Sequence, residues 1–343
     1  TFAHFLKTGT MPKQKKHGLG CGSLHYVVGT RKQPILSDYN PDIPDSKPSK
    51  KRQYLFVPGL GYVKMMERLR FNGLFTSIVV KRESGDQYFA VLCVYIDREE
   101  WRNTHKMPKE TADVHVGIDL GIHDLAILST GLKIDKHQTD EQLRNRKREL
   151  QTAIKHKKEC HPGITTKKKK KIALQLAKTK ARMVRQRNDY QHKVTTALAY
   201  TCRNICMEDL NIATMLRSGD LPAHLFLEAA LYHFRELMEQ KMEMAGHRLN
   251  FAPKGYQSTD ICSNCGHQMP DIELKQRVFR CDACGFEADR DVNAAANLAK
   301  LIGLDGPESK LAAKGEINAT LTSILTRNGI TTHQAGEGEQ TGT

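Results

Sequence analysis

No run of about 18 consecutive apolar residues occurs in the 343-residue chain, so no bilayer-spanning helix is expected. The opening residues lack the charged-then-apolar pattern of a secretory leader. There is no G-x-x-x-x-G-K-[ST] loop to cradle a nucleotide phosphate and no H-E-x-x-H helix to hold a protease zinc. No internal repeat is found, which argues against a solenoid. Negative charge is also in short supply. Asp plus Glu total 38 against 53 Lys plus Arg, giving a formal charge of +15 and a pI near 9.4. Such a surplus favours a polyanionic partner, nucleic acid ahead of an anionic membrane. A soluble chain that is merely basic is the plainer alternative, and charge alone separates the two only weakly.

Four of the nine cysteines are paired in sequence, and the rest are scattered. Cys93, Cys202 and Cys206 sit in apolar runs and read as reduced core residues, which implies a reducing, intracellular compartment. Cys262, Cys265, Cys281 and Cys284 give C-x2-C-x15-C-x2-C. Two C-x2-C turns can each present two thiolates to one ion, and four thiolates make a closed tetrahedral zinc site with no open catalytic position. His267 is a spare donor that the fourth cysteine makes unnecessary. Unligated thiols or two disulfides are the less favoured alternatives at this spacing. Metal binding of this kind supplies folding energy on the order of 10 kcal/mol, so the knuckle is a staple rather than a reaction centre.

Texture changes along the chain. Residues 1–52 are rich in Gly, Pro, Lys and Ser and read as loop. In 53–101, "TSIVVKRESGDQYFAVLCVYID" holds two β-branched and aromatic runs joined by Ser84-Gly85-Asp86, which predicts a hairpin. "HVGIDLGIHDLAILSTG" predicts an apolar strand, a turn and a second strand. Over 141–200, Leu143, Leu150 and Ile154, then Tyr190, Val194 and Leu198, recur at helical spacings. His161-Pro162-Gly163 interrupts the pattern, so two long helices are expected as a hairpin. "NICMEDLNI" and "HRLNFAP" predict strands, and "PAHLFLEAALYHFRELMEQKMEMAG" an amphipathic helix ending at Gly246. The final "GEGEQTGT" reads as a polar, disordered tail.

Three acids stand at the ends of such elements. Asp119 closes the apolar run of "VGIDLG", Glu208 follows that of "ICMED", and Asp291 opens the small-residue helix of "ADRDVNAAAN". A carboxylate in apolar surroundings is costly unless a cation pairs with it. Three converging carboxylates suit two-metal hydrolysis of a phosphodiester, with Mg2+ or Mn2+ held by acidic oxygens. Each acid alone is a weak signal, because a turn residue or a helix cap explains it as well, Asp291 above all.

"GIDLGIHDLAILSTG", "MEDLNI", "CSNCG…CDACG" and "DRDVNAAANL", in that order, resemble the transposon-encoded TnpB family, akin to the compact type V CRISPR effector nucleases. The resemblance covers residues 55–300 and is most specific in the last third. It implies an α/β chain: a ribonuclease H-like RuvC nuclease domain with an inserted zinc ribbon and an N-terminal β-rich wedge-like domain. The implied division is 1–52 loop-rich segment, 53–111 wedge-like domain, 112–256 nuclease domain with a basic helical hairpin at 141–200, 257–286 zinc ribbon, 287–305 last nuclease helix, and 306–343 polar tail. Mapped by motif, Asp119, Glu208 and Asp291 become the catalytic Mg2+ ligands, while Asp209 and Asp289 are neighbours outside the ligand set. The implied activity is RNA-guided cleavage of double-stranded DNA, with Zn2+ structural and two Mg2+ or Mn2+ ions catalytic. The implied partners are a guide RNA encoded by the transposon and a double-stranded DNA target, with no membrane. The compartment would be cytoplasmic and nucleoid-associated in a prokaryote, nuclear in a eukaryote.

Between residues 141 and 193 there are 18 Lys or Arg against four acids. The densest part supplies Lys167, Lys168, Lys169, Lys170, Lys171, Lys178, Lys180, Arg182, Arg185 and Arg187 as expected phosphate contacts to a guide–target heteroduplex. A solvated helix face or a nuclear localisation signal is the competing explanation. Tyr54, Phe56, Tyr62, Phe71 and Phe75 could stack on bases, although core packing suits aromatics at strand spacing better. Two rival functions remain: a guided DNA-binding repressor that does not cut, and an unguided, structure-specific nuclease of the same fold. Presence of all three acids argues against the first, and a specific co-purifying RNA would argue against the second.

Overall fold

The computed structural model describes residues 22–27, 36–38, 42, 53–57, 60–69, 74–83, 87–95, 97, 99, 112–160, 166–209, 230–269, 276–302 and 312–335. The chain divides into two compact units, Thr1–Glu100 with Arg144–Arg182, and Trp101–Leu143 with Met183–Thr343.

Among the described residues, the first unit holds two three-stranded antiparallel sheets. One is β1 (Gly22–Val27) beside β5 (Leu74–Glu83) and β6 (Gln87–Tyr95), and the other is β2 (Leu36–Ser37), β3 (Gln53–Val57) and β4 (Gly61–Met65). Leu55, Val57 and Ile78 form the buried core, with Leu36, Met65, Val80 and Leu92 packed against it. The 74–95 hairpin forms as its two β-branched and aromatic runs predict, Glu83 opposite Gln87; its turn lies outside the described residues. Residues 1–52 are not all loop. They supply β1 and β2, whose partners lie far along the chain (Gly22 opposite Arg82) and so leave no local hairpin signal. Tyr62 is buried and its ring meets Phe56 edge-on at 5.3 Å, which is core packing. Phe71 lies outside the described residues.

In the second unit the apolar run ending at Asp119 is β7 (Ala112–Asp119), followed by β8 (Asp124–Leu128) and β9 (Leu132–Asp135) in an antiparallel meander. Next in the chain are helices α1 (Glu141–Cys160) and α2 (Lys167–Thr201), whose residues 144–182 belong to the first unit; residues 161–165 between them are outside the described set. Then come β10 (Cys202–Met207), α3 (Leu231–Ala245), β11 (Arg248–Phe251), β12 (Val278–Arg280), β13 (Glu287–Asp289), α4 (Arg290–Lys300), α5 (Ala312–Arg327) and β14 (Thr332–Gln334). Helix α3 stops as expected, with Gly246 left-handed at φ 73° closing its last carbonyls. The main sheet has six strands in the order β11-β10-β7-β8-β9-β14. Strands β7, β10 and β11 run parallel, and β14 pairs antiparallel with β9.

Strand side chains alternate between faces, so neighbouring residues report on different layers. Val116, Ile118, Ile205 and Met207 pack with Val194 and Leu198 of α2, with Phe234, Met238 and Met242 of α3, and with Leu321 and Leu325 of α5. Cys206, on the opposite face, packs with Leu298 of α4 and Ala252. Gly117 shares that second face, and a Cβ there would stand 1.8 Å from the Ala295 carbonyl oxygen and 2.5 Å from the Ala299 nitrogen. Glycine at 117 therefore lets helix α4 rest on the strand backbone. Both obstacles are main-chain atoms that no rotamer change can clear. Gly117→Ala is expected to lose about 1–3 kcal/mol or more of stability in a denaturant titration, with α4 lifted from the sheet.

Residues 306–343, expected to be a polar tail, include two sheet-packing elements instead. Ile317, Leu321 and Leu325 of α5, and Ile330 after it, are buried in the main core. Strand β14 then adds a sixth strand at the sheet edge. "GEGEQTGT" lies outside the described residues.

Candidate active site and metal knuckle

Asp119 ends β7, and Glu208 follows Met207, the last residue of β10. Met207 lies opposite Ile118 in a parallel pair, so the two acids leave the same end of two adjacent strands. Carboxyl ends of parallel strands are where open α/β sheets gather ligand-binding groups. Asp291 lies in the first turn of α4, the helix seated on β7 through Gly117. All three acids are half-buried. Burial pushes the Asp119 carboxyl well above its ordinary range, and the charges of Glu208 and then Asp291 push the same way, against Arg290 and the Leu120 N–H. Burial also raises Glu208, offset in part by the hydroxyl of Ser258, which donates to Glu208 Oε1. Asp119 thus feels the charge of both other carboxylates, a repulsion that a bound cation would relieve.

The two aspartates of "DRD" have different jobs. Asp289 is the N-cap of α4: one carboxylate oxygen accepts the Asp291 and Val292 N–H groups, each at 3.1 Å. Its other oxygen pairs with Lys133 Nζ at 2.7 Å. Asp291 instead faces Arg290, with Nη2 at 3.0 Å and Nε at 3.1 Å from Oδ1, and Arg277, with Nη1 at 3.6 Å from Oδ2. Asp209, beside Glu208, is bound by Arg235, whose guanidinium also lies 4.1 Å over the Phe251 ring. Asp291 lines a cavity of about 530 Å³ together with Asp289, Lys133, Asp124, Arg277 and His333. A second cluster, Asp124, Asp135 and His333, brings its donor atoms within 4.8 Å of one another across β8, β9 and β14. His333 Nδ1 lies 3.0 Å from Asp135 Oδ1, so an ordinary hydrogen bond accounts for that pair.

The four paired cysteines come together with Sγ atoms within 4.8 Å of one another. Cys262 and Cys284 sulfurs are 3.8 Å apart, and those of Cys265 and Cys281 are 3.6 Å apart. Disulfides, at about 2.05 Å, are excluded by those distances. Four sulfurs at about 2.3 Å from a tetrahedral zinc stand about 3.8 Å apart, so the group fits a structural zinc. The two turns are built alike. Gly266 N–H donates to Cys262 O and Gly285 N–H to Cys281 O, each at 2.9 Å, with both glycines left-handed. The Phe286 N–H draws the Cys284 thiol down to about 6. Against the His267 N–H, hydrogen bonding to the neighbouring thiols, Cys284 first, holds the Cys265 thiol up to about 12, so the metal-free cluster favours one thiolate. Strands β12 and β13 form the two-stranded ribbon behind the second turn.

On α2, Lys167, Lys168, Lys170, Lys171, Lys178, Lys180 and Arg182 are exposed, while Lys169, Arg185 and Arg187 are half-buried. The last two lie in the second unit and the others in the first. Pattern reading did not single out Ser258, Asn293, Asn297, Arg277, Arg290 or Lys133. The two asparagines left a signal: polar residues four apart among alanines, on the face of α4 that the sequence makes apolar.

A family model described as "Cas12f1-like, TNB domain" matches residues 232–298, and one described as "Probable transposase" matches residues 92–219. A "Putative RNA-guided DNA endonuclease" of Streptomyces pristinaespiralis is 30% identical over 226 residues, 65% of this chain and 52% of that protein. "TnpB-like protein L79" of Acanthamoeba polyphaga mimivirus is 30% identical over 146 residues, 41% of this chain and 27% of that protein. The chain thus spans about half the length of the first relative and about a quarter of the second. Among solved structures, "Cryo-EM structure of CRISPR-Cas12f Ternary Complex" aligns over 88% of this chain and 63% of that one, at 17% identity and a TM-score of 0.39. The resemblance to the TnpB family carried by the motifs is found again in the two family models and in relatives named for that family and its activity.

Proposed function

We propose that this TnpB-like chain is an RNA-guided DNA endonuclease that hydrolyses phosphodiester bonds at Asp119, Glu208 and Asp291. The observation that carries the proposal is that Asp119 and Glu208 leave the same end of neighbouring parallel strands, while Asp119 also feels the charge of Asp291 on the helix seated on β7. The mixed sheet, with its three-strand meander continued by two parallel strands, supports the ribonuclease H-like RuvC assignment. The acidic oxygens suit hard divalent cations, Mg2+ or Mn2+, and two such ions would supply an activated water and stabilise the leaving oxygen. The protein's share is geometric and electrostatic. Strands β7 and β10 fix two carboxylates, Asp289 caps the helix that presents the third, and Arg277 and Arg290 supply positive charge beside Asp291. The four cysteines hold Zn2+ as a staple.

The exposed lysines of α2, with Arg182, offer a sequence-independent phosphate-binding row for a guide–target heteroduplex. The guide is proposed to be encoded by the transposon and the target to be double-stranded DNA. Sequencing of RNA bound to the purified protein tests this. One abundant species, whose end matches DNA outside the element, is expected, followed by Mg2+-dependent cutting of matching DNA. Heterogeneous or absent RNA, with Mg2+-dependent cutting of branched DNA, would favour the unguided nuclease. Specific RNA and DNA binding without cutting would favour the repressor.

A further inference from the structure

Ser258 lies in the segment between β11 and the first cysteine turn and is 1% exposed. Its hydroxyl donates to Glu208 Oε1. Its carbonyl accepts Asn297 Nδ2 at 2.9 Å, and the same nitrogen reaches Ile261 O at 2.6 Å. Asn293, one turn earlier on α4, donates its Nδ2 to Ile261 O at 2.8 Å and accepts the Ser263 N–H at 2.8 Å. Both asparagines are 1% exposed. A buried carboxamide is costly unless its hydrogen bonds are made, so two of them on one helix face are a demanding way to hold a loop. Alanine would be the cheaper choice if packing alone were needed. The loop they hold contains Cys262 and touches Glu208, and the helix they stand on carries Asp291 in its first turn.

We infer that Ser258 is a positioning residue for the Glu208 carboxylate, with Asn293 and Asn297 locking its loop to the helix that presents Asp291. The lock makes the first cysteine turn, Glu208 and Asp291 one rigid assembly. Glu208 is then held in place before any cation arrives, and less ordering is needed on binding. This inference rests on the reading of the three acids as a divalent-cation site.

Mn2+ titration of the full chain, followed by the electron paramagnetic resonance of free Mn2+, tests it without reference to cutting. Ser258→Ala is expected to weaken Mn2+ binding by about tenfold, the scale of one hydrogen bond to a charged group. Ser258→Thr, which keeps the hydroxyl, is expected to restore most of that loss. Zinc content should stay at one ion per chain in both, which separates lost positioning from a collapsed knuckle. Where cutting is measured, the Mn2+ concentration for half-maximal rate should move more than the maximal rate. Wild-type Mn2+ affinity in Ser258→Ala, or equal weakening in the Ala and Thr variants, would overturn the inference. Asp119→Asn is the control on its premise. If Asp119→Asn also binds Mn2+ as the wild type does, the cation-site reading falls and takes the inference with it. Loss in Asp119→Asn but not in Ser258→Ala sinks the positioning role alone.

Discussion

Asp119→Asn should abolish Mg2+-dependent cutting, by about 10²–10³-fold or more, and yet make the metal-free protein more stable. The two effects share one cause. Asp119 is half-buried, loses hydration there and is repelled by Glu208 and Asp291, which is why its carboxyl holds a proton to higher pH than in an unfolded chain. A group with a raised acid pKa in the fold binds more protons folded than unfolded between the two values. Stability from this group therefore falls as pH rises through the folded value, and its cost is fully present only above that value. Asparagine keeps the shape and removes the charge. The variant's melting temperature at pH 7.5 without metal should rise by about 2–4 °C for each kcal/mol relieved, with a weaker dependence on pH. Adding Mg2+ should raise the wild-type melting temperature, because binding to the folded state alone stabilises it, and should do little for the variant. A variant that melts lower than the wild type, or responds to Mg2+ as the wild type does, would show that the three acids do not form a mutually repelling cation site.

How much of this was legible beforehand depended on whether the signal was local. The apolar run into Asp119 and the one into Glu208 each carry their own strand pattern, and β7 and β10 formed where the runs lie. The cysteine spacing is equally local, because each turn needs only its own C-x2-C-G. What escaped was specified at a distance. Strand β14 is three polar residues whose partner, β9, lies about two hundred positions earlier (Thr332 opposite Ile134), so no periodicity marks it. Helix α5 did carry a pattern, Ile317, Leu321 and Leu325 at i, i+4 and i+8, but it was subsumed under the polar tail. Asp289 and Asp291 were separated by motif alone, since either could cap the helix. Only the N–H groups accepted by Asp289 show which one does. Ser258 had no signal at all: a serine in a loop acquires its role from the glutamate it meets, fifty residues back in the chain.

Zinc removal should uncouple the knuckle from the sheet and reach Asp291 as well. The ribbon's own apolar core is Cys262, Phe279 and Cys281, with Met269 and Phe286 beside it, and two of its three buried members are the proposed ligands. So small a cluster cannot hold a fold unaided, and a four-thiolate zinc supplies on the order of 10 kcal/mol. On extraction of the ion with a strong chelator, or in Cys281→Ser, amide protection at Cys262, Gly266, Cys281 and Gly285 should drop by orders of magnitude in hydrogen exchange. Core amides of β7 and β10 should keep theirs, since the main core takes nothing from the ribbon. The informative amides are those of Asp291 and Val292. Asp289, which caps them, is the last residue of β13 and is held opposite Val278 of β12. If the ribbon melts, the cap loosens, and the first turn of α4 should exchange faster although the rest of the helix stays on Gly117. Protection unchanged at Asp291 and Val292 after zinc loss would mean that Lys133, which pairs with Asp289 from β9, holds the cap by itself. The staple would then serve the ribbon alone.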